Sequence, residues 1–351
     1  NMNYDLLFAV IFYLFLYSLF VIYRKKFEVQ GKFFILYKTK WGLKLMDRFS
    51  VHKKTLSFLG FFSVLFGFLG MGLIFYILVK GTYSMLFVSA AAPVLSPVLP
   101  GVAIAGLPIL SFWYWIIAIL LIATIHEFFH GVYARKIGVK IKSSGFAFLG
   151  PLLAAFVEPD EKQLAKKKPY QQLLVLSAGP FSNILFAGVI LLIMLFAINP
   201  VSNYLIEEKG LVIVGMNANM PINSSGLKIG MTIDKIGDYN VTDRVNFVSA
   251  IDKYKAGDKV FVRANSSFYE VQMGKNPTTG KTMIGFFVSP VSVGLKDQYK
   301  FEFFNFYPVY GWFIELMFWL FTISLGVGLF NLLPLGPVDG GRMFYIGMFA
   351  F

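Results

Sequence analysis

The sequence predicts a polytopic α-helical membrane protein of about five to six spans with a small β-rich domain inserted between two of them. Three observations carry this. The chain of 351 residues is 57% hydrophobic with a mean hydropathy of +0.66, above the level of an ordinary soluble domain. Five apolar segments, near 6–23, 57–79, 111–131, 172–198 and 310–333, are long enough to cross a bilayer as helices. Residues 205–290 instead show short apolar–polar alternations such as Leu211-Val212-Ile213-Val214 and Lys259-Val260-Phe261-Val262-Arg263. Turn-type clusters (223–226, 237–238, 256–258) separate them, which is the pattern of a small β domain.

The elements follow in order. Residues 6–23 lack a basic leader and a small-residue cleavage site, so they read as a membrane helix rather than a signal peptide. Ten Lys+Arg lie in 24–54 and eight in 135–168, so two short loops hold most of the basic excess. Residues 201–309 are nearly balanced, with 12 Lys+Arg against 10 Asp+Glu. The net charge of +13 therefore reports topology and anionic lipid contact, not nucleic acid. Both basic loops are placed in the cytosol of a plasma-membrane protein. The segment after the second span and everything between the fourth and fifth spans are placed outside. His52 stands in the first basic loop and reads as solvated. Residues 82–110 are apolar but broken by Pro93, Pro97, Pro100 and Pro108, which predicts a re-entrant or surface-lying segment. Residues 145–157 are apolar but too short to span. An extended hairpin dipping towards the third span fits them, and so does a loop packed on the bundle. The predicted organisation is a membrane part over 1–200, an extracytoplasmic domain over 205–290 and a closing membrane part over 310–351. Met343–Phe351 is apolar but too short to span.

The third span carries the chemistry. His126-Glu127-Phe128-Phe129-His130 is an H-E-x-x-H sequence that follows fourteen residues without a charge. On a helix the two imidazoles fall one turn apart on one face. That spacing suits two nitrogens on one Zn²⁺, with Glu127 beside them as general base. A packed histidine pair is the bland alternative, but ionisable groups in a membrane span are costly and usually functional. The chain has no cysteine, so a metal is held by His and carboxylates and a thiol nucleophile is excluded. Arg135 marks the cytosolic edge nine residues past His126. At 1.5 Å per residue this puts the zinc roughly 13 Å below that edge, in the inner leaflet. A catalytic zinc takes three protein ligands and keeps one open position. The fifth span ends in Asn331-Leu332-Leu333-Pro334-Leu335-Gly336-Pro337-Val338-Asp339-Gly340-Gly341. Asp339 is the only carboxylate there, and topology returns it to the side of the histidines. Alone, Asp-Gly-Gly is an ordinary turn signal.

Taken together these pieces resemble the site-2 protease family of intramembrane zinc metalloproteases, in its archaeal type. The matching elements are His126-Glu127-x-x-His130, Asn331-x-x-Pro334 with Asp339-Gly340, and Gly179-Pro180-Phe181-Ser182-Asn183 in the fourth span. Residues 205–290 resemble a PDZ domain through Ser225-Gly226-Leu227-Lys228-Ile229-Gly230, although Met231 and Thr232 stand where an acidic residue is usual. Leu36–Gly42 and Phe156–Glu161 look like archaeal members. Family members usually continue after the last motif with another membrane helix. The resemblance implies one zinc per chain on His126, His130 and Asp339, with Glu127 activating water and passing a proton to the leaving amine. It implies that Asn183 donates to substrate backbone or the developing oxyanion; helix–helix packing through Gly179 and the Asn183 amide is the alternative. Its substrates would be single-span membrane proteins, and the PDZ-like domain would bind a peptide C-terminus or filter by size.

Two rivals remain at this level. A prenyl-protein-processing type of membrane metalloprotease also uses H-E-x-x-H, with Glu158 or Glu161 proposed as third ligand. A transporter or non-enzymatic scaffold would use the ionisable groups as an ion path and the PDZ-like domain to recruit a partner.

Overall fold

The computed structural model describes residues 4–30, 34–87, 98–102, 107–149, 152–217, 222, 225–275, 280–299 and 305–349. Residues 88–97 and 103–106 of the Pro-broken stretch predicted over 82–110 lie outside these residues, as do 150–151 in the predicted hairpin and 223–224 in one turn cluster. The chain forms two compact units, residues 1–196 with 312–351, and residues 197–311.

Five helices that lie wholly or mostly in the first unit are long and apolar enough to cross a membrane. They are α1 (Tyr4–Ile22), α3 (Lys53–Phe87), α4 (Phe112–Lys136), α6 (Pro169–Ile193) and α9 (Tyr307–Phe330). Between α1 and α3 lie β1 (Phe27–Gln30), β2 (Phe34–Thr39) and α2 (Leu43–Ser50). After α4 come β3 (Ile141–Leu149), β4 (Leu152–Pro159) and the short α5 (Glu161–Ala165). The fourth apolar segment stays helical through a π turn at Met194–Ile198 into α7 (Asn199–Leu205). Pro200, which has no N–H to donate, lies two residues after the π turn, where the regular ladder is already interrupted. The helix α3 outruns its predicted end at 79, since the lone Lys80 does not break a helix.

Small residues bring the spans together. Gly60, Ser63, Gly67 and Gly70 of α3 are buried, and Ser63 Oγ shares a 2.7 Å hydrogen bond with Ser177 Oγ of α6. Packing of membrane helices through small and hydroxyl residues needs no hydrophobic driving force, which lipid would not supply. Arg135 and Lys136 close the last turn of α4, where cations offset the helix dipole.

The basic stretch 24–54 differs from its reading as a plain loop. β1 and β2 join β3 and β4 in one antiparallel sheet of order β1-β2-β3-β4. The register runs from Phe34 opposite Leu149 to Thr39 opposite Ser144. Thr39 Oγ1 donates to the Ser144 carbonyl (3.1 Å), and Ser144 Oγ donates to the Trp41 carbonyl (2.5 Å). Among the described residues β4 has no strand partner beyond β3.

In the second unit β5 (Ile206–Met216), β6 (Thr232–Ile236), β7 (Tyr239–Asn240), α8 (Arg244–Ile251), β8 (Lys259–Ala264) and β9 (Ser267–Gln272) come first. The short β10 (Gly274–Lys275) and β11 (Thr282–Met283) and the long β12 (Phe286–Leu295) follow. The main sheet has order β12-β5-β6-β8-β9, with β7 added to β6. Alternate residues Leu211 and Ile213, and Val260 and Val262, fill its core as the two-residue period of a half-buried strand dictates, and a register shift in β6 brings Ile233 and Ile236, three residues apart, into the same core. Asp243 caps α8 by accepting from the Asn246 amide at 2.8 Å.

Candidate metal centre

The helix α4 packs against β4 and α6, and its two histidines face α6. His126 is 7% exposed. His130 Nδ1 donates to the Val175 carbonyl of α6 at 2.7 Å. A carbonyl only accepts, so the proton of this ring is on Nδ1 and its Nε2 carries a free lone pair. That Nε2 lies 3.0 Å from His126 Nε2.

The helix α10 (Asp339–Phe349) follows the turn after α9 and begins at Asp339. Its carboxylate Oδ2 reaches both rings, 3.1 Å from His126 Nε2 and 3.3 Å from His130 Nε2. The turn is held by the Gly340 N–H, which donates to the Asn331 carbonyl at 2.7 Å. A Cβ at Gly340 would run into the carbonyls of Leu332 and Leu333, so only glycine lets the first turn of α10 close here. The Asp-Gly pair therefore both closes the turn and sets the Asp339 carboxylate against the two rings.

His126, His130 and Asp339 form a group whose donor atoms all lie within 4.8 Å of one another. The triangle tests whether a metal fits. Tetrahedral bonds of about 2.0–2.1 Å place ligand atoms roughly 3.3–3.4 Å apart. The observed edges of 3.0, 3.1 and 3.3 Å approach that, and two imidazole nitrogens with one carboxylate oxygen suit zinc chemically. The residues present fit the ion.

Glu127 sits beside the triangle. Its Oε2 accepts the Val157 N–H of β4 at 3.0 Å. Both residues line a cavity of about 310 Å³ that also contains His126, His130, Asn331 and Asp339. Asn183 of α6 lies elsewhere. It is fully buried, does not line this cavity, and its carboxamide meets His126 Nδ1 at 3.1 Å, on the side of the ring away from the triangle.

The two glutamates of the rival ligand set are engaged with other groups. Glu158 accepts from Ser143 Oγ at 2.6 Å and pairs with Lys38 at 3.4 Å. Glu161 pairs with Arg342 at 2.9 Å on the rim of the cavity. His52 is exposed.

Backbone groups and one glycine escaped the sequence reading of roles. The Val175 carbonyl and the Val157 N–H carry no residue signature. Gly179 was read as a motif residue and a helix-packing alternative, with no link to the two rings. A Cβ there would lie 2.6 Å from His126 Nε2 and closer still to His130 Nε2, so α6 approaches the rings to a distance only glycine permits. Gly179→Ala is expected to push the two rings off their common point, and if that displacement costs the about 1–3 kcal/mol usual for overpacking, zinc affinity falls by about 5–160-fold. A chelator-competition titration measures it, and an unchanged affinity would refute the close approach.

A His-Glu-x-x-His pair faced by an aspartate and set in a bundle of apolar helices defines a class, the membrane metallopeptidases. The chain belongs to Peptidase family M50, the site-2 protease family, whose family model matches residues 114–349. An uncharacterized protein of Methanocaldococcus jannaschii is 27% identical over 361 aligned positions, covering 95% of this chain and 82% of its own length. The crystal structure of the PDZ domain of the SdrC-like protein of Listeria monocytogenes aligns with 23% of this chain and 90% of its own. The identity is 17% and the TM-score 0.22.

Proposed function

We propose that this chain is a zinc endopeptidase that cleaves transmembrane segments of single-span membrane proteins within the bilayer. The observation that carries the reading is the triangle of His126 Nε2, His130 Nε2 and Asp339 Oδ2, borne on and between apolar helices with Glu127 alongside. When bound there, zinc supplies a Lewis acid that polarises the scissile carbonyl and acidifies water. The residues of the chain do the rest. His126 and His130 turn their Nε2 atoms to one point, and Asp339 adds the negative charge. Glu127 accepts a proton from the attacking water and passes it to the leaving amine, which departs neutral.

A transmembrane helix hides its amides in its own hydrogen bonds, so a substrate unwinds before attack. The edge of β4 offers a place for the unwound strand. The Val157 N–H points away from β3, and by alternation those of Ala155 and Leu153 share its edge. Strand addition there would satisfy freed backbone groups and lay the peptide beside Glu127.

The basic loops support a cytosolic position for this end of α4, with the zinc in the inner leaflet and residues 205–290 outside. We read that inserted domain as PDZ-like, binding the new C-terminus of a substrate already trimmed outside or holding back bulky ectodomains. It is inserted in sequence between α6 and α9, two helices that serve the candidate site.

The test is cleavage of a single-span substrate by the purified chain reconstituted in liposomes. Chelation is expected to abolish cleavage, and added zinc to restore it. Cleavage that survives complete zinc removal would sink the reading, and a chain that never takes up zinc would leave the scaffold or transporter in its place.

A further inference from the structure

The chemistry of His126 constrains Asn183. The Asn183 side chain is fully buried between α4 and α9, and its own backbone carbonyl accepts from Ser324 Oγ at 2.8 Å. The carboxamide is nearly symmetric in shape, so hydrogen bonding decides which end faces the ring. With nitrogen towards His126 Nδ1, that ring atom is an acceptor and the imidazole proton sits on Nε2. It then occupies the triangle, 3.0 Å from His130 Nε2, where a lone pair is needed. The same orientation leaves the buried Asn183 Oδ1 without a hydrogen-bond partner. Turned over, the oxygen accepts the Nδ1 proton and the Nε2 lone pair enters the triangle. One end of the amide lacks a partner in either orientation, so the ring decides between them.

We propose that Asn183 is a positioning residue whose carboxamide oxygen accepts the His126 Nδ1 proton and so fixes the Nε2 lone pair towards the metal position. The inference rests on the zinc reading above. It gives His126 the counterpart of what the Val175 carbonyl gives His130. Each ring is held by an acceptor on α6, one a side chain and one the backbone. It also replaces the expectation that Asn183 touches substrate, because the residue stands behind the ring and outside the cavity.

The experiment is zinc affinity of the full chain in detergent, by chelator competition, for wild type, Asn183→Leu and Asn183→Asp. Leu keeps the volume and loses the acceptor. Asp keeps the acceptor and loses the NH₂ donor. Loss of an outer partner of a ligating histidine costs about 10–100-fold in metal affinity. Asn183→Leu is expected to fall by that factor, while Asn183→Asp binds zinc at least as tightly as wild type. Wild-type affinity in Asn183→Leu would overturn the proposal. So would a fall in Asn183→Asp, because the amide would then act as a donor. Should Asn183→Leu fail to fold, the Asp variant alone decides. A wild type that binds no zinc is a different failure, and it removes the zinc reading itself.

Discussion

A chain carrying Glu127→Gln is expected to take up zinc at the wild-type level and to cleave its substrate about 10²–10⁴-fold more slowly, the usual contribution of a general base. The geometry makes this a clean substitution. Glu127 is not one of the three groups of the triangle, so its charge is not needed to hold the ion. The carbonyl oxygen of glutamine still accepts the Val157 N–H, so the contact between α4 and β4 survives. What is lost is the capacity to take a proton from water. Zinc content and cleavage measured on the same preparation separate the two. Full activity in Glu127→Gln would exclude the residue as the base.

Asp339→Ala is expected to lower zinc affinity by more than about 10²-fold, beyond the range seen when only an outer partner of a ligand is removed. Glu158→Ala and Glu161→Ala are expected to keep it. The difference follows from what each carboxylate faces. Asp339 lies within 3.1 and 3.3 Å of the two ring nitrogens. The Glu158 carboxyl accepts from Ser143, which holds its pKa below the ordinary glutamate value, and it leans on Lys38. Glu161 is paired with Arg342. Zinc retained in Asp339→Ala and lost in Glu158→Ala would move the third ligand and favour a different metalloprotease architecture.

Much of this was legible in the sequence because its signals are local. H-E-x-x-H declares its geometry within five residues, and uninterrupted apolar runs declare helices whatever surrounds them. Asp339 was reachable by topology, since the two apolar segments that follow α4 were expected to carry the chain out and back to the histidine side. The β1–β2 pair was not. Its pairing partner β3 lies more than a hundred residues away, and its lysines, together with Arg24, gave the stretch the look of a cytosolic loop. A strand whose register is set by a distant neighbour leaves little trace in its own composition. The settings of the rings were hidden for another reason. Every residue carries a backbone carbonyl like that of Val175 and every residue but proline an N–H like that of Val157, so no letter marks them. Asn183 could be read as a polar residue in a span, but which side of a ring it meets is a matter of packing.

The spacing of the triangle along the chain has a consequence for biosynthesis. His126 and Asp339 are 213 residues apart, and the fifth apolar helix precedes the aspartate. At about 5–20 residues per second, roughly 10–40 s separate the emergence of the two. On the proposed ligand set, the nascent chain passes through the insertion machinery as a harmless helical protein, surrounded by unfolded membrane segments that would otherwise be prey. On that reading the site is assembled only once Asp339 has followed the fifth apolar helix, so its late arrival serves as a safety catch.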